Sequence, residues 1–465
     1  MWLEIVLCLL ALFSLLYWKV TKNYNFWSSK GVYQLKPSFP FGSMWAMFSQ
    51  SRHFNDEFLS HINEDTKDLP YYGVYFLSDP VLIIKDADMA KQILVKSFDH
   101  FVDRNMSQMD ALKESTLVTD QIWMQQLTSA GGEPWKKLRM TFTPIFSSGK
   151  MKGMMKFMQE MSSRLVQEFE SNASKSQDIE LKTALGKYSM DTIATCAFGV
   201  DAQAFSNDKS KFVEYAAAIF KQQLRDGLKQ MLLFLPGGVK IMNLLGISLF
   251  KVKETDFFQQ VVMDSIKHRR ESKAKRGDLI DLMLDAIKGV LEEESEESGD
   301  QFHNDAKLKV ESGNIKKEHH HLDEMSIVAT AIVILVAGYD TTGTMLAYAC
   351  YQLSKKPHVQ EKLREEVENI LGDDRQRELN YDDLQSMTYL DQIICETLRF
   401  HNPIGILTRN CTKDFQFPGT DLSIQKGTNI WINIMAIHMN PTYYPNPTEF
   451  DPERFSKEER AKRNP

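Results

Sequence analysis

Ala337-Gly338-Tyr339-Asp340-Thr341-Thr342, in the middle of an apolar run, is one place where this sequence could do chemistry. An acid beside an alcohol in a buried groove can pass protons from solvent to a bound reactant. The spacing lets the Thr341 hydroxyl bond back to the carbonyl of Ala337, four residues earlier, which tends to bend a helix and widen a groove there. Gly338 costs helix stability, so it marks a point where backbone must come close to another group or open outward. The bland alternative is a helix junction with a satisfied threonine, and these residues alone leave the two open.

A second constellation is Glu396-Thr397-Leu398-Arg399, a carboxylate and a guanidinium three apart on one helix face. The sequence carries a decoy of the same spacing, Glu361-Lys362-Leu363-Arg364. Lys355, Lys356, Glu365 and Glu366 surround the decoy and predict a solvated pair worth little. Ile393, Ile394, Cys395, Phe400 and Pro403 surround the other and predict burial, which calls for a further hydrogen-bond partner. Arg454, in Pro452-Glu453-Arg454-Phe455, is the residue expected to supply it.

The elements that must position these groups are mostly helical. Asp323 can cap a helix whose apolar body runs from Ile327 to Val336 and continues through Leu346 and Tyr351 to about Ser354. Its uninterrupted apolar stretch is too short for a membrane span, and Asp340 follows directly. A helix apolar nearly all round is then the buried axis of a large body. Helical patterns also cover Asp86–Lys96, Met151–Phe169 and the chain on to about Lys267. A hairpin is signalled by Tyr71–Leu77, a turn at Ser78-Asp79-Pro80, and Val81–Ile84. The expected class is mainly α with a small β region.

The amino end is apolar from Trp2 to Trp18 except for Glu4 and Ser14, with Lys19, Lys22 and Lys30 behind it. That pattern predicts a signal-anchor over residues 1–20 with the body on the cytosolic side, and a linker over 21–45. Met231–Phe250 is strongly apolar but broken by Pro236, Gly237, Gly238 and Gly246, which argues against a second span. It reads either as a segment dipping into the membrane surface or as a buried loop. Glu292–Asp300, running on to His319–His321, reads as a solvated acidic linker.

Composition narrows the function further. With 55 basic and 62 acidic residues the net charge is −7, spread without a basic footprint, so no nucleic-acid partner is expected. The cysteines, Cys8, Cys196, Cys350, Cys395 and Cys411, form neither a zinc pattern nor a disulfide framework, and no protein-ligated metal site is expected from them.

Taken in order, these motifs resemble those of a cytochrome P-450, a haem-thiolate monooxygenase, of the animal microsomal type that includes xenobiotic-metabolising enzymes. The resemblance implies a single large monooxygenase domain over 46–465 behind the anchor, held on the endoplasmic reticulum membrane by one pass. Ala337 and Gly338 would line the oxygen-binding groove, Asp340 and Thr341 would supply protons, and Glu396, Arg399 and Arg454 would form a structural triad. Trp135 and Arg139, in Trp135-Lys136-Lys137-Leu138-Arg139, would hold a haem propionate, with Arg104 and Arg409 as further partners. Lys136 and Lys137 would help dock a reductase. The implied reaction takes electrons from NADPH through that reductase and inserts one oxygen atom of O2 into a lipophilic small molecule.

The family's ligand loop, Phe-x-x-Gly-x-Arg-x-Cys-x-Gly, is not found among residues 1–465. Cys411 has Arg409 two before it, but Ile404, Leu407 and Lys413 stand where Phe, Gly and Gly belong. The expectation is a chain that continues beyond Pro465 to supply the iron's cysteine. The alternative is a truncated, non-catalytic, membrane-anchored protein of the same fold that binds apolar ligands.

Overall fold

The computed structural model describes residues 2–49, 51–52, 54–104, 107–206, 210–221, 223–235, 237–273, 275–288, 324–374 and 377–463. The Glu292–Asp300 and His319–His321 stretches, Pro236 and the expected cap Asp323 lie outside them. Contacts group the chain into two units, Met1–Asp110 with Ile404–Glu449, and Ala111–Pro403 with Phe450–Pro465.

The first unit begins with α1 (Trp2–Thr21), long and apolar enough to cross a membrane and with its apolar window wholly unburied. Its sheet runs β1 (Tyr71–Phe76), β2 (Asp79–Ile84), β3 (Ile406–Asn410), β4 (Phe415–Gln416), β5 (Ser423–Ile424) and β6 (Asn429–Asn433) in chain order. In space the main sheet is β1-β2-β6-β3, and β4 and β5 pair separately. β2 runs antiparallel to β1 and parallel to β6, and Val81–Ile84 is buried on both faces, as a continuous Val-Leu-Ile-Ile run requires. The hairpin ladder extends to Phe76 opposite Asp79. Asp79 and Pro80 therefore belong to the strand, and Leu77-Ser78 turn the chain, with Leu77 at φ 55°. Gly73 has no room for a side chain, because a Cβ would meet the Trp27 ring at 2.3 Å. Trp27, Tyr75, Leu82, Phe101, Ile430 and Ile432 fill the core beside the sheet. Asp86 caps the helix that follows β2, accepting from Met89 N at 2.8 Å.

The second unit is helical. Its elements include α2 (Val118–Gln125), α3 (Gly132–Phe142), α4 (Ser148–Ser174), α5 (Leu181–Ile193), α6 (Leu224–Phe234), α7 (Gly238–Leu245), α8 (Val252–Ser272), α9 (Glu324–Lys355), α10 (Pro357–Leu371) and α11 (Thr388–Phe400). α9 is the expected axis: Ile327 to Ile332, Leu335 and Val336 are buried, against Phe198, Phe258, Val262, Ile266 and Met283. It crosses α5 so closely that a Cβ on Gly343 would stand 3.1 Å from the Gly186 Cα. The apolar stretch around α6 and α7 is two helices with a divided surface instead of a buried loop: Leu233, Val239 and Met242 are buried. Leu228, Met231, Leu235, Ile241 and Leu245 are exposed, and Leu244 is 86% exposed.

Candidate functional site

The back-bond expected at the centre of α9 is present: Thr341 Oγ1 donates to the Ala337 carbonyl at 2.7 Å. Ala337 is exposed and Thr341 half-buried on one face of the helix, directly after its buried stretch Ile327–Val336. Gly338 serves the close-approach role, since a Cβ there would lie 3.1 Å from the Ile193 side chain of α5. Ser189, also on α5, donates to the Tyr339 carbonyl at 2.8 Å. Asp340 is partly exposed and pairs with Lys182 Nζ of α5 at 3.5 Å. Sequence reasoning missed Lys182 and Ser189, because nothing local links them to α9. Burial, helped by the charges of Asp340 and Glu180, raises the Tyr339 phenol above its ordinary value.

Glu396, Arg399 and Arg454 come together, but the further hydrogen bond expected of Arg454 is supplied by Asp451 N, and Arg454 Nε stands only within ion-pair reach. Glu396 and Arg399 have 0% and 1% exposure, and the guanidinium grips the carboxylate with Nε on Oε2 at 2.6 Å and Nη2 on Oε1 at 2.8 Å. Asp451 N donates to Oε1 at 2.9 Å, and Arg454 Nε approaches the same oxygen at 3.5 Å. The decoy Glu361–Arg364 is ion-paired and exposed on both sides. Just past α11, the His401 ring stacks on Tyr348 of α9, centroids 4.0 Å apart, and Gln352 Nε2 lies 2.7 Å from His401 Nε2. Burial, then Arg399 and Lys355, push His401 down to about 4. The neutral imidazole accepts from Gln352 at Nε2, so this bond assigns its proton to Nδ1.

In the first unit, strand β3 brings Arg409 beside Arg104: Asp103 bridges to Asn410, and Thr408 Oγ1 donates to the Arg104 carbonyl at 2.8 Å. Arg409 is only 7% exposed, its Nη1 donates to the Thr408 carbonyl at 2.8 Å, and its Nε has no partner. Burial and the neighbouring charge of Arg104 push Arg409 down to about 10. A buried guanidinium with an orphaned N–H beside a second cation fits an anion such as a carboxylate. In the second unit, Trp135 is half-buried and Arg139 exposed one turn apart on α3, with Lys136 paired to Glu133 at 2.8 Å. Burial pushes the Cys196 and Cys411 thiols up to about 11, and Cys411 Sγ lies 2.8 Å from the Lys413 carbonyl, a setting that holds the proton on sulfur. No group of three or more His, Cys, Asp or Glu suited to a metal occurs among the described residues.

A long helix exposed at Ala337 beside a back-bonded Thr341, a buried Glu396–Arg399 pair, and, in the other unit, a buried arginine suited to an anionic group mark out a mainly helical protein with places for an anionic cofactor. The cytochrome P450 family profile matches residues 36–465, and the chain belongs to that family. Among curated relatives it is 32% identical to cytochrome P450 6k1 of Blattella germanica, over 99% of this chain and 83% of the relative. It is 31% identical to cytochrome P450 6B6 of Helicoverpa armigera, over 97% and 82%, and 30% identical to cytochrome P450 6a2 of Drosophila melanogaster, over 99% and 86%. Haem is the cofactor and monooxygenation the reaction that this membership carries.

Proposed function

We propose that this protein is a microsomal monooxygenase that inserts one oxygen atom of O2 into lipophilic small molecules, with electrons from NADPH delivered by a partner reductase. The observation that carries the reading is the α9 arrangement. The Thr341 hydroxyl is held on the Ala337 carbonyl at 2.7 Å, next to an Asp340 that reaches solvent through Lys182. When bound, haem supplies dioxygen activation by electron transfer. Thr341 holds a proton at its Oγ1, Asp340 replenishes it from solvent, and Ala337 and Gly338 keep the helix backbone open and close-packed on its two sides. Arg409 and Arg104 suit one carboxylate of the cofactor, and the indole N–H of Trp135 with the guanidinium of Arg139 offers donors of the same kind.

Cys411 does not fit the family's ligand loop, since Ile404, Leu407 and Lys413 stand where Phe, Gly and Gly belong. The apolar α1 and the exposed side chains of α6 and α7 support a body tethered to, and seated on, the endoplasmic reticulum membrane.

The test is oxidation of an alkoxycoumarin probe by the full protein in bilayer discs with NADPH and a microsomal reductase, under isotopically labelled O2. One labelled oxygen per product, dependent on NADPH, is the expected result. Label drawn from water, or turnover without O2, overturns the reading.

A further inference from the structure

Three titratable groups that take no part in the site described above are buried together beside the sheet of the first unit. Tyr72 of β1 is 0% exposed, Glu57 of the short helix Phe54–Ser60 5%, and His61, directly after that helix, 6%. The Tyr72 hydroxyl lies 3.4 Å from His61 Nδ1, and His61 Nε2 lies 3.3 Å from Glu57 Oε1. A carboxylate only accepts, so the neutral imidazole carries its proton on Nε2 toward Glu57, and Nδ1 is left to accept from the phenol. Burial raises the Tyr72 phenol well above its ordinary value, opposed by a hydrogen bond from the Asn433 side chain of β6 and reinforced by the charge of Glu57, so it rests protonated. The second carboxylate oxygen, Glu57 Oε2, has no hydrogen-bond partner among the described residues, and the exposed Arg52 stands 3.8 Å from it.

Aromatic rings lead from these groups across the sheet. The His61 ring lies 6.1 Å from Tyr72 and 5.6 Å from Phe58, and Phe58 lies 5.7 Å from Trp431 of β6, centroid to centroid. Tyr72 is in register with Ile83 and Ile83 with Trp431, so the phenol and the indole share one face of the sheet, their strands about 10 Å apart. They differ in one chemical respect. The Trp431 indole is 2% exposed and its Nε1 has no partner, so on losing an electron it has no base for its proton and stays a cation. Tyr72 has a base within reach, and a phenol that loses an electron becomes a strong acid. We propose that Tyr72 is a redox-active tyrosine, the resting place of an oxidising equivalent that enters the sheet at Trp431. A one-electron oxidant strong enough to ionise an indole takes an electron from Trp431, and the indole cation takes one from Tyr72. The phenol proton passes to His61 Nδ1 while His61 gives its Nε2 proton to Glu57 Oε1. Trp431 returns to its neutral form, Glu57 becomes a neutral acid, and a neutral phenoxyl radical remains. The cation on Trp431 and the anion on Glu57 are both discharged, and the cost of holding buried charges sets the direction of transfer.

The experiment illuminates the full protein with light that indole absorbs and phenol does not, in the presence of a dissolved electron scavenger. The radicals are followed by electron paramagnetic resonance and by time-resolved absorption. In the parent an indole radical should convert into a tyrosyl radical, more slowly in D2O because a proton moves with the electron. The chain has seven tryptophans, so variants make the assignment. Tyr72→Phe and Trp431→Phe should each lose the tyrosyl signal; should one of them fail to fold, the other makes the comparison. His61→Gln offers the phenol an oxygen to bond to but no base to take its proton. Transfer in that variant should slow by at least about a hundredfold, the low end of what a positioned base contributes. A network that serves packing alone leaves the rate in His61→Gln at that of the parent, and that result overturns the proposal. So does a parent that forms indole radicals without a tyrosyl one, or a tyrosyl signal unchanged in Tyr72→Phe. Light takes the place of turnover, so a failed monooxygenase reading leaves this test standing.

Discussion

Glu396 and Arg399 grip each other fork to fork, at 2.6 and 2.8 Å, and both are shut off from solvent. The same spacing one element earlier, Glu361 and Arg364, produces an exposed pair. Identical spacing therefore has two energetic meanings, set by what packs around it.

Glu396→Ala leaves Arg399 buried without its anion and should cost about 3–5 kcal/mol, enough to abolish most folded protein. Glu361→Ala should cost no more than about 1 kcal/mol. Thermal unfolding of the two variants, with soluble yield, makes the comparison, and equal losses would refute the assignment of burial. Arg399→Lys should fail nearly as badly as Glu396→Ala, because an ammonium cannot reproduce the fork.

Arg409→Met should act in opposite directions on two properties. It removes a buried cation with an orphaned Nε beside Arg104, so the haem-free protein should melt at a higher temperature. It also removes a donor for an anionic group, so haem should dissociate faster. A variant destabilised in both respects would show that Arg409 serves packing only.

Thr341→Val deletes the hydroxyl bound to Ala337, and Thr341→Ser retains it. Positioned proton donors contribute about 10²–10⁴-fold, so product per NADPH oxidised should fall by at least about tenfold in the valine variant and recover in the serine one. Equal coupling in both variants would remove Thr341 from proton delivery.

Lys182→Met should leave stability within about 1 kcal/mol, because its ion pair with Asp340 is half-exposed. Its turnover should differ from the parent at low ionic strength and converge on it near 1 M salt, where screening acts over only about 3 Å. A difference that persists at high salt would mean that Lys182 acts through packing and not through charge.

His401 is held neutral, pushed down to about 4 from an ordinary value of 6.5. Below the unfolded-state value the unfolded chain binds a proton that the folded protein refuses, so this group erodes stability as pH falls from about 6.5 to about 4, and contributes no slope above that window. His401→Phe keeps an aromatic face for Tyr348 and cannot titrate. Melting temperatures of the parent and the variant should draw together as pH falls through this window. A gap that stays constant would exclude His401 as a source of acid sensitivity.

Relationships within a single element are legible in the order of residues. The Thr341 bond to Ala337 and the Glu396–Arg399 pair lie within one helical turn, where spacing alone decides reach. The hairpin follows from apolar residues around a turn, although its closure at Leu77-Ser78 depends on the ladder register. The burial of Glu396 is readable from flanking residues, since charge density around a helix face reports solvent.

Contacts between distant segments are not legible in this way. Lys182 meets Asp340, Ile193 fills the space beside Gly338, and Ser248 meets Asp120 only because segments far apart in sequence pack side by side. Arg409 stands beside Arg104 because β3 bridges to Asp103, a consequence of sheet register. The apolar α6–α7 run shows why hydropathy leaves such questions open: apolarity states a preference for leaving water, and only the fold decides whether protein or another phase receives the side chains. The helical class, the anchor-like first helix, and the acid-alcohol and acid-arginine motifs follow from residue order, because each is set within a few turns of chain. Which of those motifs is buried, which cation faces which anion, and which apolar surface stays open were decided by tertiary packing, because burial and charge pairing depend on neighbours that primary spacing does not specify.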